Sequence, residues 1–219
     1  MSNSSLATYQ RLTDNYDPRR NKIDTITIHC YVGQVTAKQG CDYFYNTDRE
    51  VSSNYVVGRD GSIGLSVAEN HRAWTSSSPS NDHRAITIEV ASDTKPPYAV
   101  TDKAYSALIT LVTDICKRND IKRLVWSDNK SNRVNHRNGC NMTVHRDFAS
   151  TACPGAYLYS RMADTAAQVN KRLSAGTTKP TAKPTTTIKI DAPSDVGGND
   201  MTRGYFQVGD RNEGVYAYK

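Results

Sequence analysis

Residues 23–30 read IDTITIHC and residues 85–91 read AITIEVA, and these two stretches decide the fold. In both, polar and apolar side chains alternate with the period of two that is typical of a β-strand with one buried face. His29 lies on the polar face of the first stretch, and Glu89 lies on the polar face of the second. We expect the apolar faces to pack against helices, so that His29 and Glu89 line a common cleft.

The segments around these strands alternate between strand-like and helix-like patterns. Residues 51–58 lead into Asp60-Gly61, a dipeptide that favours a hairpin turn. Apolar side chains of residues 101–119 recur at spacings of three and four, which predicts a helix with one buried face. Further helices are predicted over residues 36–48 and 155–173, and a further strand over residues 121–126. Strands interleaved with helices indicate an α/β domain whose helices pack on a central sheet.

Composition narrows the class of protein. The chain has 219 residues, of which 37% are hydrophobic, and its net charge is +6. No stretch approaches the ~18 consecutive apolar residues that a membrane span requires, and the N-terminus lacks the apolar run of a signal peptide. We therefore expect no membrane span and synthesis in a cytoplasm. The basic charge favours polyanionic partners, but Lys and Arg form only short pairs, so nucleic acid is not an expected partner.

Composition also divides the chain. Residues 1–174 have the composition of a folded domain, whereas residues 175–195 are rich in Thr, Pro and Lys and are typical of an extended linker. Residues 196–219 are too few to fold unaided. We expect them to be a tail, or the truncated start of a further module.

The stretch TVHRDFASTACPG, residues 143–155, carries the chemistry. It places His145 and Cys153 on one polar loop, and imidazole nitrogen and thiolate sulfur are zinc ligands. A catalytic zinc site uses three protein ligands, and His29 is the best candidate for the third. Each residue also has an interpretation without a metal. His29 is then a polar residue whose hydrogen bonds are made within the protein, Glu89 lies on a solvent-exposed face, and Cys153 is a small buried apolar residue. The odd count of five cysteines argues against a closed disulfide framework.

Four blocks in order resemble one enzyme family. They are ITIHC (26–30), SSNYVVGRDGSI (52–63), RAWTSSSPSNDHRAITIEV (72–90) and TVHRDFASTACPG (143–155). The chain is similar over residues 23–173 to the zinc amidases that include phage lysozyme-like amidases, bacterial anhydro-muropeptide amidases and animal peptidoglycan recognition proteins. The resemblance implies a central mixed β-sheet flanked by helices, and hydrolysis of the amide between N-acetylmuramic acid and L-alanine in peptidoglycan.

The resemblance also implies roles for individual residues. His29, His145 and Cys153 match the zinc ligands. Tyr55 matches a position near the metal, and Glu89 matches the acidic residue of the family's IGIEL-like strand. Tyr55, together with Thr151, would then donate hydrogen bonds to the developing oxyanion, and Glu89 would act as general base or orient the water.

Two positions depart from the family pattern. Thr151 stands where phage amidases often carry a lysine, two residues before the cysteine ligand, which leaves the proton-transfer residue open. The family's AWH block reads Ala73-Trp74-Thr75, so a histidine common near the cleft rim is absent.

An enzyme domain, a linker and residues 196–219 as the truncated start of a module that binds the cell wall would form the layout of a phage endolysin, and the lack of a signal peptide fits the same layout. Such an enzyme waits in the cytoplasm of the bacterial host and reaches the wall after holin-type release. We expect a monomer whose partner is peptidoglycan. Two alternatives stay open: a peptidoglycan-binding module of the same fold without catalysis, and a cysteine hydrolase that uses Cys153 with a histidine as base.

Overall fold

The computed structural model describes residues 2–175, and a six-stranded mixed sheet forms its centre. The strands are β1 (Tyr9–Gln10), β2 (Tyr16–Pro18), β3 (Thr25–Cys30), β4 (Tyr55–Val57), β5 (Ile63–Leu65), β6 (His71–Ala73), β7 (Ala85–Val90) and β8 (Met142–Val144). The order in the sheet is β1-β5-β4-β7-β3-β8, in which β4 and β5 are antiparallel and the other neighbours are parallel. Strands β2 and β6 form a separate antiparallel pair.

Helices cover both faces of the sheet, which confirms the expected α/β class. They are α1 (Ala37–Asn46), α2 (Pro79–Asp82), α3 (Asp102–Arg118), α4 (Lys130–Val134), α5 (Gly155–Tyr159) and α6 (Met162–Ala175). The apolar face of β3 and β7, with Ile28 and Ile88 fully buried, packs in the main core with Leu108 of α3 and Val169 of α6. On the opposite face, Phe44 of α1 belongs to a smaller apolar cluster.

Local signals in the sequence set the ends of several elements. Thr36 and Thr101 cap α1 and α3, because each threonine side chain accepts a backbone N–H from the first turn of its helix. Gly61, at a φ of +85°, lies in the loop that joins β4 and β5 as an antiparallel hairpin. The predicted helices at 36–48 and 101–119 and the hairpin are therefore confirmed.

Two predictions about local structure are wrong. Residues 121–126 do not form a strand, because the N–H groups of Leu124 and Val125 donate to the side-chain oxygens of Asn170 and Asn141 instead of a neighbouring strand. The helix predicted over 155–173 is two helices, α5 and α6. The N–H of Arg161 bonds to the carbonyl of Leu158 three residues back, and this tight turn ends α5.

The predicted boundaries beyond the domain fall largely outside the described residues. Helix α6 extends to Ala175, one residue into the predicted linker, and the remainder of residues 175–195 and all of 196–219 lie outside. Within residues 2–175, no helix combines the length and the apolar character needed to cross a membrane.

Candidate metal centre

The site lies where three parallel strands end at the same edge of the sheet, the usual position of binding sites in sheets of this kind. His29 in β3 is paired in register with Glu89 in β7. The imidazole of His29 is fully buried, and its Nδ1 lies 3.8 Å from Oε1 of Glu89. The polar faces of the two central strands thus meet, as their alternation predicts.

His145 reaches the same edge from β8. Thr143 of β8 is in register with Thr27 of β3, so continuing both strands by two residues brings His145 beside His29. The chain turns into a short 3-10 helix at His145–Asp147, and the two imidazole rings lie with their centroids 5.0 Å apart.

Cys153 completes the cluster from the loop that precedes α5. Its Sγ lies 3.5 Å from Nδ1 of His29 and accepts the backbone N–H of Cys30 at 3.4 Å. Thr151 holds this loop, because its Oγ1 accepts the backbone N–H of Cys153 at 3.2 Å. The Thr151 side chain itself is exposed.

The donor atoms of His29, His145 and Cys153 fit a zinc ion. All three lie within 4.8 Å of one another. Tetrahedral zinc with bonds of about 2.0–2.3 Å separates its nitrogen and sulfur ligands by about 3.5 Å, which matches the distance between Nδ1 of His29 and Sγ of Cys153. Two imidazoles and one thiolate leave a fourth position for water or substrate.

Burial controls the protonation of these groups. Burial lowers the pKa of His29 well below its usual value, with a further lowering from the charge on His145, and burial also lowers the pKa of His145. Both imidazoles are therefore neutral near pH 7, the form that binds metal. A hydrogen bond with the side-chain thiol of Cys30, together with burial, raises the pKa of the Cys153 thiol and outweighs the lowering by the Cys30 backbone N–H, so metal binding has to displace its proton.

Glu89 is a buried acid with one free oxygen. Burial, with a smaller contribution from the nearby Cys30, raises the pKa of its carboxyl to about 8. Its Oε2 has no hydrogen-bond partner among residues 2–175, although buried carboxylate oxygens are normally paired. The side chain as a whole is 15% exposed and lines a cleft together with His145, so the carboxyl group is suited to face a polar group of a bound substrate.

Two adjoining pockets form this cleft, and His145 lies in the wall of both. One, of about 420 Å³, is lined by aromatic and apolar side chains that include Tyr31 and Phe44, and by Glu89. The other, of about 700 Å³, has a more polar wall that includes Arg72. Thr75, the residue at the position of the family's rim histidine, lines both pockets.

Tyr55 is not brought to this cluster, which corrects the expectation from its block. In β4, Val56 is the residue in register with Glu89, whereas Tyr55 is in register with Ile88 and so lies on the opposite face of the sheet. Its hydroxyl is fully buried, donates to Glu69 at 2.6 Å and accepts the N–H of Ser4 at 2.8 Å. Tyr55 therefore contributes to the core.

A buried ion pair that the sequence alone does not indicate supports the His145 turn. Asp147 accepts hydrogen bonds from Nε and Nη2 of Arg133 at 2.9 and 2.5 Å, and also accepts the N–H of Val144 at 3.1 Å. The Arg133 guanidinium lies over the Trp126 ring at 4.4 Å. The position of Asp147, two residues after His145, is visible in the sequence and marks it as a candidate supporting residue. No sequence pattern identifies Arg133 as its partner, because the segment around Arg133 has no periodicity.

Comparison with known proteins identifies the family of this chain. Residues 19–156 match the N-acetylmuramoyl-L-alanine amidase family. The chain belongs to this family. The match spans β3 through the Cys153 loop and so includes all three candidate ligands and Glu89.

Solved structures of low sequence identity share the amidase fold. PlyL is 17% identical with a TM-score of 0.55, covering 74% of this chain and 95% of its own. A mutant endolysin from Bacillus subtilis is 18% identical with a TM-score of 0.54, covering 74% and 97%. A selenomethionine derivative of AmpD is 20% identical with a TM-score of 0.55, covering 75% and 99%. Comparison with curated protein sequences gives no match.

Proposed function

We propose that this amidase uses one zinc ion, held by His29, His145 and Cys153, to hydrolyse the bond between N-acetylmuramic acid and L-alanine in peptidoglycan. The observation that carries the proposal is the convergence of two imidazoles and one thiol within 4.8 Å, next to a buried carboxylate with a free oxygen. A zinc ion in such a site activates a water molecule and polarises the carbonyl that is attacked.

Glu89 is the residue placed to handle the proton. Its Oε1 is 3.8 Å from Nδ1 of His29, and its side chain lines the cleft that would hold the attacked carbonyl. Hydrolysis adds a hydroxyl to the lactyl carbonyl carbon and a proton to the alanine nitrogen. Burial favours the protonated form of Glu89, whereas a zinc ion held beside it would favour the carboxylate. That carboxylate would accept the first proton from water and return one to the leaving amine.

Thr151 is the hydroxyl that we propose as a donor to the carbonyl oxygen as it gains negative charge. Its Oγ1 already accepts the N–H of Cys153, so the hydroxyl proton remains available for a second partner. Tyr55 does not share this role, because its hydroxyl donates to Glu69 on the other face of the sheet.

The cleft suits a substrate that continues on both sides of the bond that is cut. The two pockets meet at His145, and one wall is aromatic while the other is polar. We propose a peptidoglycan strand as the occupant, with the enzyme acting as a monomer. Because a similar structure is an endolysin, we further propose a phage endolysin that is made in the bacterial cytoplasm and digests the host wall during lysis.

The test is digestion of purified peptidoglycan with the full chain, with mass spectrometry of the released peptides. We expect peptides that begin with L-alanine, loss of their release after chelation, and recovery when zinc is added back. Binding to the wall without release would favour the non-catalytic module. Release that survives complete removal of metal would favour the cysteine hydrolase.

A further inference from the structure

A ring of hydrogen bonds lies directly beneath the candidate zinc ligands. Asn81, from α2, donates from Nδ2 to Oγ1 of Thr27 at 3.0 Å, and its Oδ1 accepts the hydroxyl of Thr143 at 2.9 Å. The two threonine oxygens are 2.8 Å apart. Because the Thr143 hydroxyl proton goes to Asn81, the Thr27 hydroxyl donates to Thr143, and every member of the ring has a partner.

This ring ties together the two strands that carry the histidines. Thr27 stands two residues before His29 in β3, and Thr143 stands two residues before His145. Asn81 is 4% exposed and both threonines are at most 1% exposed, so water does not compete for these bonds. The single side chain of Asn81 therefore fixes the spacing of the two ligand-bearing strands just below the site.

Ser76 extends the ring to His29 itself. Its Oγ lies 3.3 Å from Nδ2 of Asn81 and 3.3 Å from Nε2 of His29. Asp82 holds the Ser76 backbone by accepting its N–H at 3.0 Å, and the other oxygen of Asp82 lies 3.1 Å from the Asn81 amide nitrogen. Ser76 is fully buried, so no solvent molecule replaces its hydroxyl.

The two nitrogens of His29 thus face different partners. Nδ1 faces Sγ of Cys153 at 3.5 Å, and Nε2 faces the hydroxyl of Ser76. A metal on Nδ1 requires the ring proton on Nε2, and a metal-binding histidine normally donates that proton to a second partner that fixes its orientation. Asn81 Nδ2 has two protons and three acceptors within 3.3 Å, namely Thr27 Oγ1, Asp82 Oδ1 and Ser76 Oγ, so Ser76 shares a proton of Asn81 with Asp82. Ser76 Oγ keeps a lone pair for the Nε2 proton of His29.

On these contacts we propose that Ser76, oriented by Asn81, is the positioning residue that keeps His29 in the tautomer with Nε2 protonated and Nδ1 free for zinc. The inference rests on the zinc site of the proposed function. It adds to that site a serine and an asparagine that touch neither metal nor substrate and act through His29.

The experiment measures the zinc dissociation constant of the full chain by competition with a chromophoric chelator. Removing such a second partner weakens metal binding about 10- to 100-fold, so we expect that loss for Ser76→Ala. The matched control is Ser53→Ala, because Ser53 is equally buried but donates to the backbone oxygens of Tyr55 and Thr87. The control should bind zinc as wild type does, and Ser76→Thr, which restores the hydroxyl, should recover most of the affinity.

A second measurement needs no variant. Nitrogen NMR of the zinc-loaded wild-type protein should show His29 with its proton on Nε2. The inference would be overturned if zinc were bound through Nε2, or if the zinc dissociation constant of Ser76→Ala were within twofold of wild type. Either result would still be consistent with zinc binding by His29, His145 and Cys153. A wild-type chain that binds no zinc would overturn the proposed function as well, so the two failures are distinguishable.

Discussion

Glu89 and His29 stand opposite each other in register on two adjacent parallel strands, with Oε1 of the acid 3.8 Å from Nδ1 of the imidazole. Both side chains lie on the polar face of this strand pair, whereas the opposite face is apolar and packs in the core. The fold therefore places a candidate base next to a candidate ligand through backbone pairing alone, and the predictions below follow from this placement.

The first prediction separates proton transfer from metal binding. Glu89→Gln keeps the shape of the side chain but removes its basicity, so we expect kcat to fall about 10²- to 10⁴-fold. Zinc content should stay at the wild-type level, because Glu89 is not among the three donors. Steady-state kinetics and metal analysis of the same preparation check this, and a variant with wild-type kcat would rule out the assigned role.

The second prediction concerns Tyr55. Tyr55→Phe removes the hydroxyl that pairs with Glu69 and Ser4, so we expect the free energy of unfolding to fall by about 1–3 kcal/mol. Activity at a temperature where the variant is folded should match wild type. Chemical denaturation and peptide release measure the two quantities, and a large loss of kcat in a stable Tyr55→Phe protein would show that the tyrosine acts in catalysis after all.

The third prediction tests the ion pair under the His145 turn. Asp147→Asn leaves the Arg133 charge buried without its partner, which should cost about 3–5 kcal/mol of stability. Zinc affinity should fall too, since Asp147 also holds the N–H of Val144 just before His145. The control is Asp120→Asn, which breaks the exposed pair of Asp120 with Lys122 and should leave both stability and zinc affinity nearly unchanged.

The fourth prediction concerns the hydroxyl of Thr151. Loss of one donor to a developing oxyanion typically lowers kcat about 10²- to 10³-fold, so Thr151→Val should show a decrease of that order. Thr151→Ser keeps the hydroxyl and serves as the matched control, with kcat near wild type. Equal activity in the two variants would remove Thr151 from the mechanism and leave the oxyanion donor to be sought elsewhere in the cleft.

Alternation along single strands predicted much of this site. It placed His29 and Glu89 on polar faces, and the pairing of β3 with β7 then made them neighbours. Alternation gives no such guide in β4, because Tyr55, Val56 and Val57 are all apolar and buried, and only the pairing of Val56 with Glu89 places Tyr55 on the opposite face. The family block had suggested a position near the metal for Tyr55, and the strand geometry does not support it.

Contacts between distant segments could not be read from the sequence. Arg133 and Asp147 lie in segments without periodicity, and Asn81 belongs to a four-residue helix too short to show any. Residues 121–126 have the apolar character of a strand, yet asparagine side chains take two of their N–H groups. In each case a tertiary hydrogen bond decides the local structure.

The central claim is that His29, His145 and Cys153 hold zinc, and the bound metal of Cys153→Ala tests it most directly. The matched control is Cys116→Ala, which removes a buried thiol from the core side of α3. We predict about one zinc ion per chain in wild type and in Cys116→Ala, and nearly none in Cys153→Ala after dialysis against a weak chelator. A Cys153→Ala protein that retains equimolar zinc would contradict the account.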